Sequence, residues 1–149
     1  MEIKSIKSLL NTDNNTLLLH YYTSIFHLLS QLTECPNLTI DVFLHIVNNL
    51  SSNHHIYILC ENESLLGMAT LLIEQKLIHN AKSVGHIEDV VIDENHIGKG
   101  YGKILIEHLC DISKENNCYK VILDCNDTVK KFYENCGFTK KTNGMALYF

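Results

Sequence analysis

The chain has no arginine, no tryptophan and a single proline, Pro36. All its basic residues are lysines. Any anionic ligand must therefore be held by lysine, by backbone N–H groups or by a helix N-terminus, because the planar guanidinium fork is missing. One proline leaves little room for long loops. No run of about 18 apolar residues occurs, so no membrane-spanning helix is expected. The start, MEIKSIKSLL, carries Glu2 early and lacks a small-residue cleavage site, which argues against a secretory signal. A net charge of −5 without a basic block or stripe weighs against nucleic acid as a partner. Cys35, Cys60, Cys110, Cys118, Cys125 and Cys136 form no CxxC and no paired histidine spacing, so neither a metal site nor a disulfide framework is expected. Cys110, Cys125 and Cys136 sit inside apolar patterns and read as reduced core thiols, which points to the cytoplasm. The adjacent pair His54–His55 would point to opposite faces of a strand and makes a poor metal clamp.

What is present fits one domain over residues 1–149, with 46% apolar residues and no internal repeat. Leu18, Tyr22, Ile25, Leu28, Leu29 and Leu32 recur at helical spacing, with Asn14 or Asn15 as the cap and Pro36 as the stop. Thr39 caps a second helix through Val42, Phe43, Ile46, Val47 and Leu50. HIYILCE (55–61) and LLGMATLLIEQKLI (65–78) read as an antiparallel hairpin, NAKSVG as a loop, and HIEDVVI (86–92) as a third strand. A helix is expected from about Gly100 to Asn116, a strand at YKVILDC (119–125), and a helix at 127–136 ended by Gly137. GMALYF closes the chain as a last strand, and residues Glu2–Lys7 are a candidate first one. The order gives a mixed α/β or α+β domain.

Between the third strand and the helix after it stand Gly98, Gly100 and Gly102. A Walker loop fails because Ile104 follows Lys103 where a hydroxyl is needed, and GxGxxG fails because Lys103 holds its third position. Two readings remain. The glycines simply turn the chain, or small residues at a helix N-terminus present their amides to a pyrophosphate, with Lys99 and Lys103 adding charge.

IGKGYG (97–102) resembles the [QR]xxGx[GA] acyl-coenzyme A signature of the GNAT superfamily of N-acetyltransferases, with Ile97 in place of the usual Gln or Arg. LSQLT (29–33), TLLIEQKLIH (70–79), GHIEDVV (85–91), CYKVILDC (118–125) and VKKFYENCGF (129–138) are similar, in order and spacing, to the branch of that superfamily that acetylates D-glucosamine 6-phosphate. The resemblance implies the GNAT fold, a central mixed, mostly antiparallel sheet flanked by about four helices. It also implies acetyl-CoA as cosubstrate, no metal, and a homodimer with active sites near the subunit interface. The product would feed UDP-N-acetylglucosamine synthesis. A superfamily member acting on another amine would share the glycines but not the QLT, EQKLIH and EDVV blocks. A non-catalytic acyl-CoA-binding module would keep the glycines without turnover.

The same resemblance assigns roles. Gly98, Lys99, Gly100, Tyr101, Gly102 and Lys103 hold the coenzyme. Val90, Val91 and Ile92 match a bulged strand that hydrogen-bonds the acetyl carbonyl and the pantetheine arm. Glu88 and Asp89, which a regular strand would point to opposite faces, fall with Val90 in the amino-sugar site. The Asp124 carbonyl aims the amine, although its carboxylate is equally a candidate helix cap. Tyr133 protonates or stabilises the leaving thiolate, although its place on an apolar stripe suits a core tyrosine as well. Thr33, Lys76, Leu77, Ile78, His79, Tyr119 and Lys120 match sugar-phosphate contacts. Where better-known relatives carry a C-terminal arginine, this chain has Tyr148.

Overall fold

The computed structural model describes residues 1–36, 38–141 and 143–148. Its strands are β1 (Glu2–Ser5), β2 (His54–Glu61), β3 (Ser64–Gln75), β4 (Ser83–Ile92) and β5 (Cys118–Ile122). Its helices are α1 (Ile6–Leu10), α2 (Asn15–Leu32), α3 (Ile40–Asn48), α4 (Tyr101–Glu115) and α5 (Asp127–Asn135). The strands form one sheet in the order β1-β2-β3-β4-β5, antiparallel throughout except for the parallel pair β4–β5.

Helices cover both faces, which explains why β2 and β3 read as continuous apolar runs rather than alternating ones. On one face Ile58, Cys60, Met68 and Val91 pack against Ile6 and Leu9 of α1, Ile25 and Leu28 of α2, and Phe43 and Val47 of α3. On the other, Ala69, Leu71 and Ile87 pack against Ile106 and Leu109 of α4, with Phe132 and Tyr133 of α5 alongside. Short polar side chains fix where four of the helices begin. Ser5, Asn14, Thr39 and Asn126 each accept a hydrogen bond from a first-turn N–H, capping α1, α2, α3 and α5.

Several expectations need correction. The first strand stops at Ser5, and α1 follows where no helix was foreseen. β3 ends at Gln75, leaving Leu77 and Ile78 exposed in a connection whose His79, Asn80 and Ala81 all have φ near +56°. β4 begins at Ser83, inside the expected NAKSVG loop. β5 ends at Ile122, so Asp124 and Cys125 lie beyond it, and Cys125 is exposed rather than a core thiol. Residues 144–148 of GMALYF form no strand, because no described strand lies against the free edge of β5; Phe149 lies outside the described residues. Five helices among the described residues flank the sheet, in keeping with the expected four or so.

β4 itself is irregular. Met68 faces Val91 and Thr70 faces Glu88, so one residue on β3 spans two on β4, and Asp89 has φ +50°. This is a β-bulge at Asp89–Val90. Glu88 and Asp89 therefore do not alternate as in a regular strand, and both are exposed. Beyond the bulge, where Gly67 faces Ile92, the glycine lets β3 approach closely: a Cβ there would meet Ile92 Cδ1 and lie 2.7 Å from the Val91 carbonyl oxygen. Gly67→Ala should cost about 1–3 kcal/mol through overpacking; a denaturation midpoint equal to that of the parent would show that the strands relax freely.

A second consequence concerns acid. His55 stacks near Tyr57 at 6.2 Å between ring centroids, and Tyr57 meets His108 edge-on at 4.6 Å. The Nε2 atoms of both histidines are buried without a hydrogen-bond partner among the described residues. Burial pushes both imidazoles below the usual 6.5, reinforced for His55 by His54 and opposed for His108 by Asp111 and Glu115. The unfolded chain then takes up protons first as pH falls through about 6.5, so stability is full above that value and declines below it. The thermal midpoint should drop between pH 7.5 and 5.5, and less steeply in His108→Phe; identical slopes would remove His108 from the effect.

Candidate active site

The parallel pairing of β4 and β5 ends at His86 and Ile122, while β4 runs on to Ile92. Beyond that point the two strands part. The side of β4 turned towards β5 carries main-chain groups with no strand to pair them. The bulge falls in this unpaired stretch. Val90 and Ile92 are half-buried there, Val91 is buried, and Glu88 and Asp89 stand exposed at its mouth.

The glycine turn closes one end of this gap. Gly98 and Gly100 have φ of +83° and +85°, a region that favours glycine, and a Cβ on either would meet nothing within 4 Å. Gly100 is the N-cap of α4 and supplies no side chain, so α4 is the one helix of the five without a side-chain cap. Its first-turn N–H groups are left for a ligand, at the positive end of a 15-residue dipole. Lys99 is exposed beside them, and Lys103 reaches Glu107 at 3.7 Å. Gly102 does something different: a Cβ there would lie 3.0 Å from Phe132 Cζ and 3.6 Å from Ile92 Cγ1. It is the point at which α4, α5 and the end of β4 meet. Two of the three glycines turn the chain and one makes room for packing, with Tyr101 half-buried between them.

Tyr133 follows Phe132 at this junction, its ring 4.9 Å from that of Phe132 and 6.1 Å from that of Phe138. It belongs to the same apolar cluster as Val90 and Leu123, on the side where the strands part. Burial raises its phenol above 10, aided by Cys125 and Cys136, so it is protonated at neutral pH. Asp124 does not cap α5, since Asn126 does. Its carboxylate instead faces the C-terminal segment, where a Cβ on Gly144 would lie 3.3 Å from Oδ1.

The expected sugar-phosphate residues divide. Thr33 is the C-cap of α2, the helix that packs across β3 and β4. Lys76, Leu77, Ile78 and His79 gather instead at the start of β4, near Tyr119 and Lys120 of β5. The rings of His79 and Tyr119 lie 4.2 Å apart, and Lys120 Nζ lies 5.5 Å from the Tyr119 ring centre. Lys76 is ion-paired to Glu74, which also meets His86 at 2.8 Å, and these two partners hold the Glu74 carboxyl below its usual value. Val84, opposite Lys120, is four residues before Glu88, on the order of 13 Å along the strand. Within one chain this second group is not brought to the bulge. Sequence reasoning missed Gln31, Asp93 and His96, which meet beneath the glycine turn. The signal available was an acid directly after an apolar strand, a capping pattern; nothing indicated that Gln31, 62 residues away, would join it.

This arrangement has relatives. Residues 19–138 match the acetyltransferase (GNAT) family. The chain is 38% identical over 129 residues to a probable glucosamine 6-phosphate N-acetyltransferase 2 of Oryza sativa, covering 82% of this chain and 78% of that protein. It is 39% identical over 127 residues to the glucosamine 6-phosphate N-acetyltransferase of Arabidopsis thaliana, with 82% and 85% covered. The crystal structure of glucosamine-6-phosphate N-acetyltransferase from Arabidopsis thaliana superposes with a TM-score of 0.84 at 32% identity, covering 99% of this chain and 97% of that one. An acetyltransferase of Trypanosoma brucei does so with a TM-score of 0.81, also at 32%, with 99% of each chain covered. Fold, the uncapped helix behind two left-handed glycines and these likenesses agree: the chain belongs to the GNAT acetyltransferase family and, within it, to the glucosamine 6-phosphate N-acetyltransferases.

Proposed function

We propose that this protein transfers the acetyl group of acetyl-CoA to the amine of D-glucosamine 6-phosphate, giving N-acetyl-D-glucosamine 6-phosphate and CoA, a step towards UDP-N-acetylglucosamine. The observation that carries the reading is the uncapped N-terminus of α4, preceded by two left-handed glycines, at the mouth of the gap between β4 and β5. The free amides there suit a pyrophosphate. The gap suits an extended arm lying beside β4, as a strand would, and hydrogen-bonding to its unpaired main chain. No metal is assigned a role.

Both substrates are bound together, and the amine attacks the thioester carbonyl carbon directly. A C–N bond forms, and the carbonyl oxygen gains charge against main-chain N–H groups of Val90–Ile92 before the C–S bond breaks. Donors of this kind are worth about 10²–10³ in rate. The carbonyl of Asp124 aims the nitrogen, which loses its proton to solvent, and Glu88 and Asp89 at the mouth of the gap hold the sugar. Tyr133 gives its proton to the departing sulfur and recovers one from water. Its raised pKa suits that role as acid and unsuits it as a base.

The second group, Lys76 to His79 with Tyr119 and Lys120, lies too far along the sheet to serve the bulge of its own chain. In a homodimer it would serve the bulge of the partner copy, with exposed Leu77 and Ile78 at the contact. The acidic composition and thiol pattern suit a cytoplasmic enzyme without a nucleic-acid partner.

Thiol release from acetyl-CoA should be strong with glucosamine 6-phosphate and weak with glucosamine; equal rates would reassign the acceptor. Tyr133→Phe should retain the fold and CoA affinity while kcat falls about tenfold or more. An unchanged kcat would return Tyr133 to a purely packing role.

A further inference from the structure

Asp93 is the residue at which the donor loop is tied to the rest of the molecule. It follows β4 directly and is 9% exposed. Its Oδ1 accepts hydrogen bonds from the Asn95 backbone N–H at 2.9 Å and from Asn95 Nδ2 at 3.1 Å, and lies 3.1 Å from His96 Nδ1. Its Oδ2 faces α2, 3.4 Å from Gln31 Nε2 and 4.0 Å from His27 Nε2. Gln31 also accepts the Glu94 backbone N–H at 2.8 Å, and its Nε2 lies 3.0 Å from His27 Nε2. One amide side chain thus holds both the carboxylate and the main chain of the turn. Burial opposes ionisation of Asp93, but the donors around it outweigh burial and hold the carboxyl below its usual value.

From this hub the geometry leads to the glycines. The His96 N–H donates to the Asp93 carbonyl at 2.8 Å, and the Lys99 N–H donates to the His96 carbonyl at 3.4 Å, which sets the turn in which Gly98 and Gly100 stand. The His96 ring lies 6.0 Å from that of Tyr101, the first residue of α4. At its other end the cluster roots in α2, two residues before Thr33. Gln31 touches neither candidate ligand site. It stands between the helix on the acceptor side and the turn on the donor side.

We propose that Gln31 and Asp93 are positioning residues for the acyl donor: together they fix the turn carrying Gly98 and Gly100 against α2, so that its amides and those of α4 are aimed at the pyrophosphate before it arrives. This rests on the reading of that turn as the coenzyme site. A preset turn spares the ligand the cost of ordering it, so loss of the tie appears as weaker donor binding rather than slower chemistry.

The test uses the full-length protein and coenzyme A itself. Calorimetric Kd for CoA and steady-state constants for both substrates are measured for the parent, Gln31→Met, Asp93→Asn and the double variant, well below each thermal midpoint. Gln31→Met keeps the side chain's length and removes its two hydrogen bonds to the turn together with its contact to His27. Asp93→Asn keeps the shape and removes the charge. Each single variant should raise Kd and acetyl-CoA KM about three- to tenfold, the worth of one or two such bonds, with kcat at saturating donor and the amino-sugar KM little changed. The double variant should fall well short of the product of the two single effects, because both residues act through one tie. Gln31→Glu, which still accepts the Glu94 N–H but sets a carboxylate against Asp93, should bind CoA no better than Gln31→Met. A lowered thermal midpoint with unchanged Kd and KM in the single variants would make the cluster merely structural and overturn the proposal. So would fully multiplicative effects. Failure of the parent itself to bind CoA would instead overturn the reading of the site.

Discussion

Strand β4 outruns its neighbour. After His86 it has no partner on the side of β5, yet it continues for six residues towards the glycine turn. Buried main-chain donors and acceptors need partners, and a sheet whose last two strands part before their neighbours end leaves them to water or to a ligand. The parting follows from how β5 is built. It has five residues, ends at Ile122 and gives way to the α5 cap at Asn126. The bulge at Asp89–Val90 adds to it by turning the β4 backbone locally away from regular pairing. The groups proposed to act on the thioester lie along this opening: the bulge on one wall, Asp124 and Tyr133 on the other, and the N-terminus of α4 at the end.

Holding such an opening apart requires rigid walls, and the packing supplies them. Gly102 draws α4 onto Phe132 of α5 and Ile92 of β4 at near-contact distances, so the helix that presents its amides and the helix that presents Tyr133 are fixed to one point. Beneath α4, Gly85 plays a similar part: a Cβ there would lie 2.7 Å from Ser113 Oγ, and Ser113 is fully buried with its hydroxyl bonded to the Leu109 carbonyl at 2.7 Å. On the opposite face α2 grips the turn through Gln31. The opening is therefore braced from both sides of the sheet by elements distant in sequence.

Much of this was legible beforehand, for a definite reason. α2 announced itself by apolar spacing and an Asn cap, α5 by apolar spacing alone, its cap falling on Asn126 rather than on Asp124, and β2 to β4 by apolar runs that only a sheet covered on both faces requires. What escaped were features set by tertiary contact. Five residues of α1 carry too little periodicity to register, and the helix exists because Ile6, Leu9 and Leu10 are buried against the sheet. The end of β3 at Gln75 is decided by a turn of three consecutive left-handed residues, which no glycine signals. GMALYF has the composition of a strand but no partner among the described strands. Gly102 looked like its two neighbours and does a different job. Asp93 could be read as a cap, whereas its meeting with Gln31 depends on how α2 crosses the sheet.

The missing arginine shapes the electrostatics. A chain with net charge −5 is assigned two anionic substrates, so long-range attraction does little and local arrangement must suffice. At the donor end the fixed dipole of α4 and its unpaired N–H groups supply a positive end that does not depend on a titratable group, while Lys99 and Lys103 add mobile charge, part of it already answered by Glu107. At the start of β4 the same economy recurs with less to spare. Lys76 is held by Glu74, and Lys120 rests near an aromatic face. A lysine is a point charge on a flexible stem and cannot clamp a phosphate in two places at once. With no guanidinium fork, a bound sugar phosphate has to be oriented by several weaker lysine, hydroxyl and main-chain contacts rather than by a single dominant ion pair.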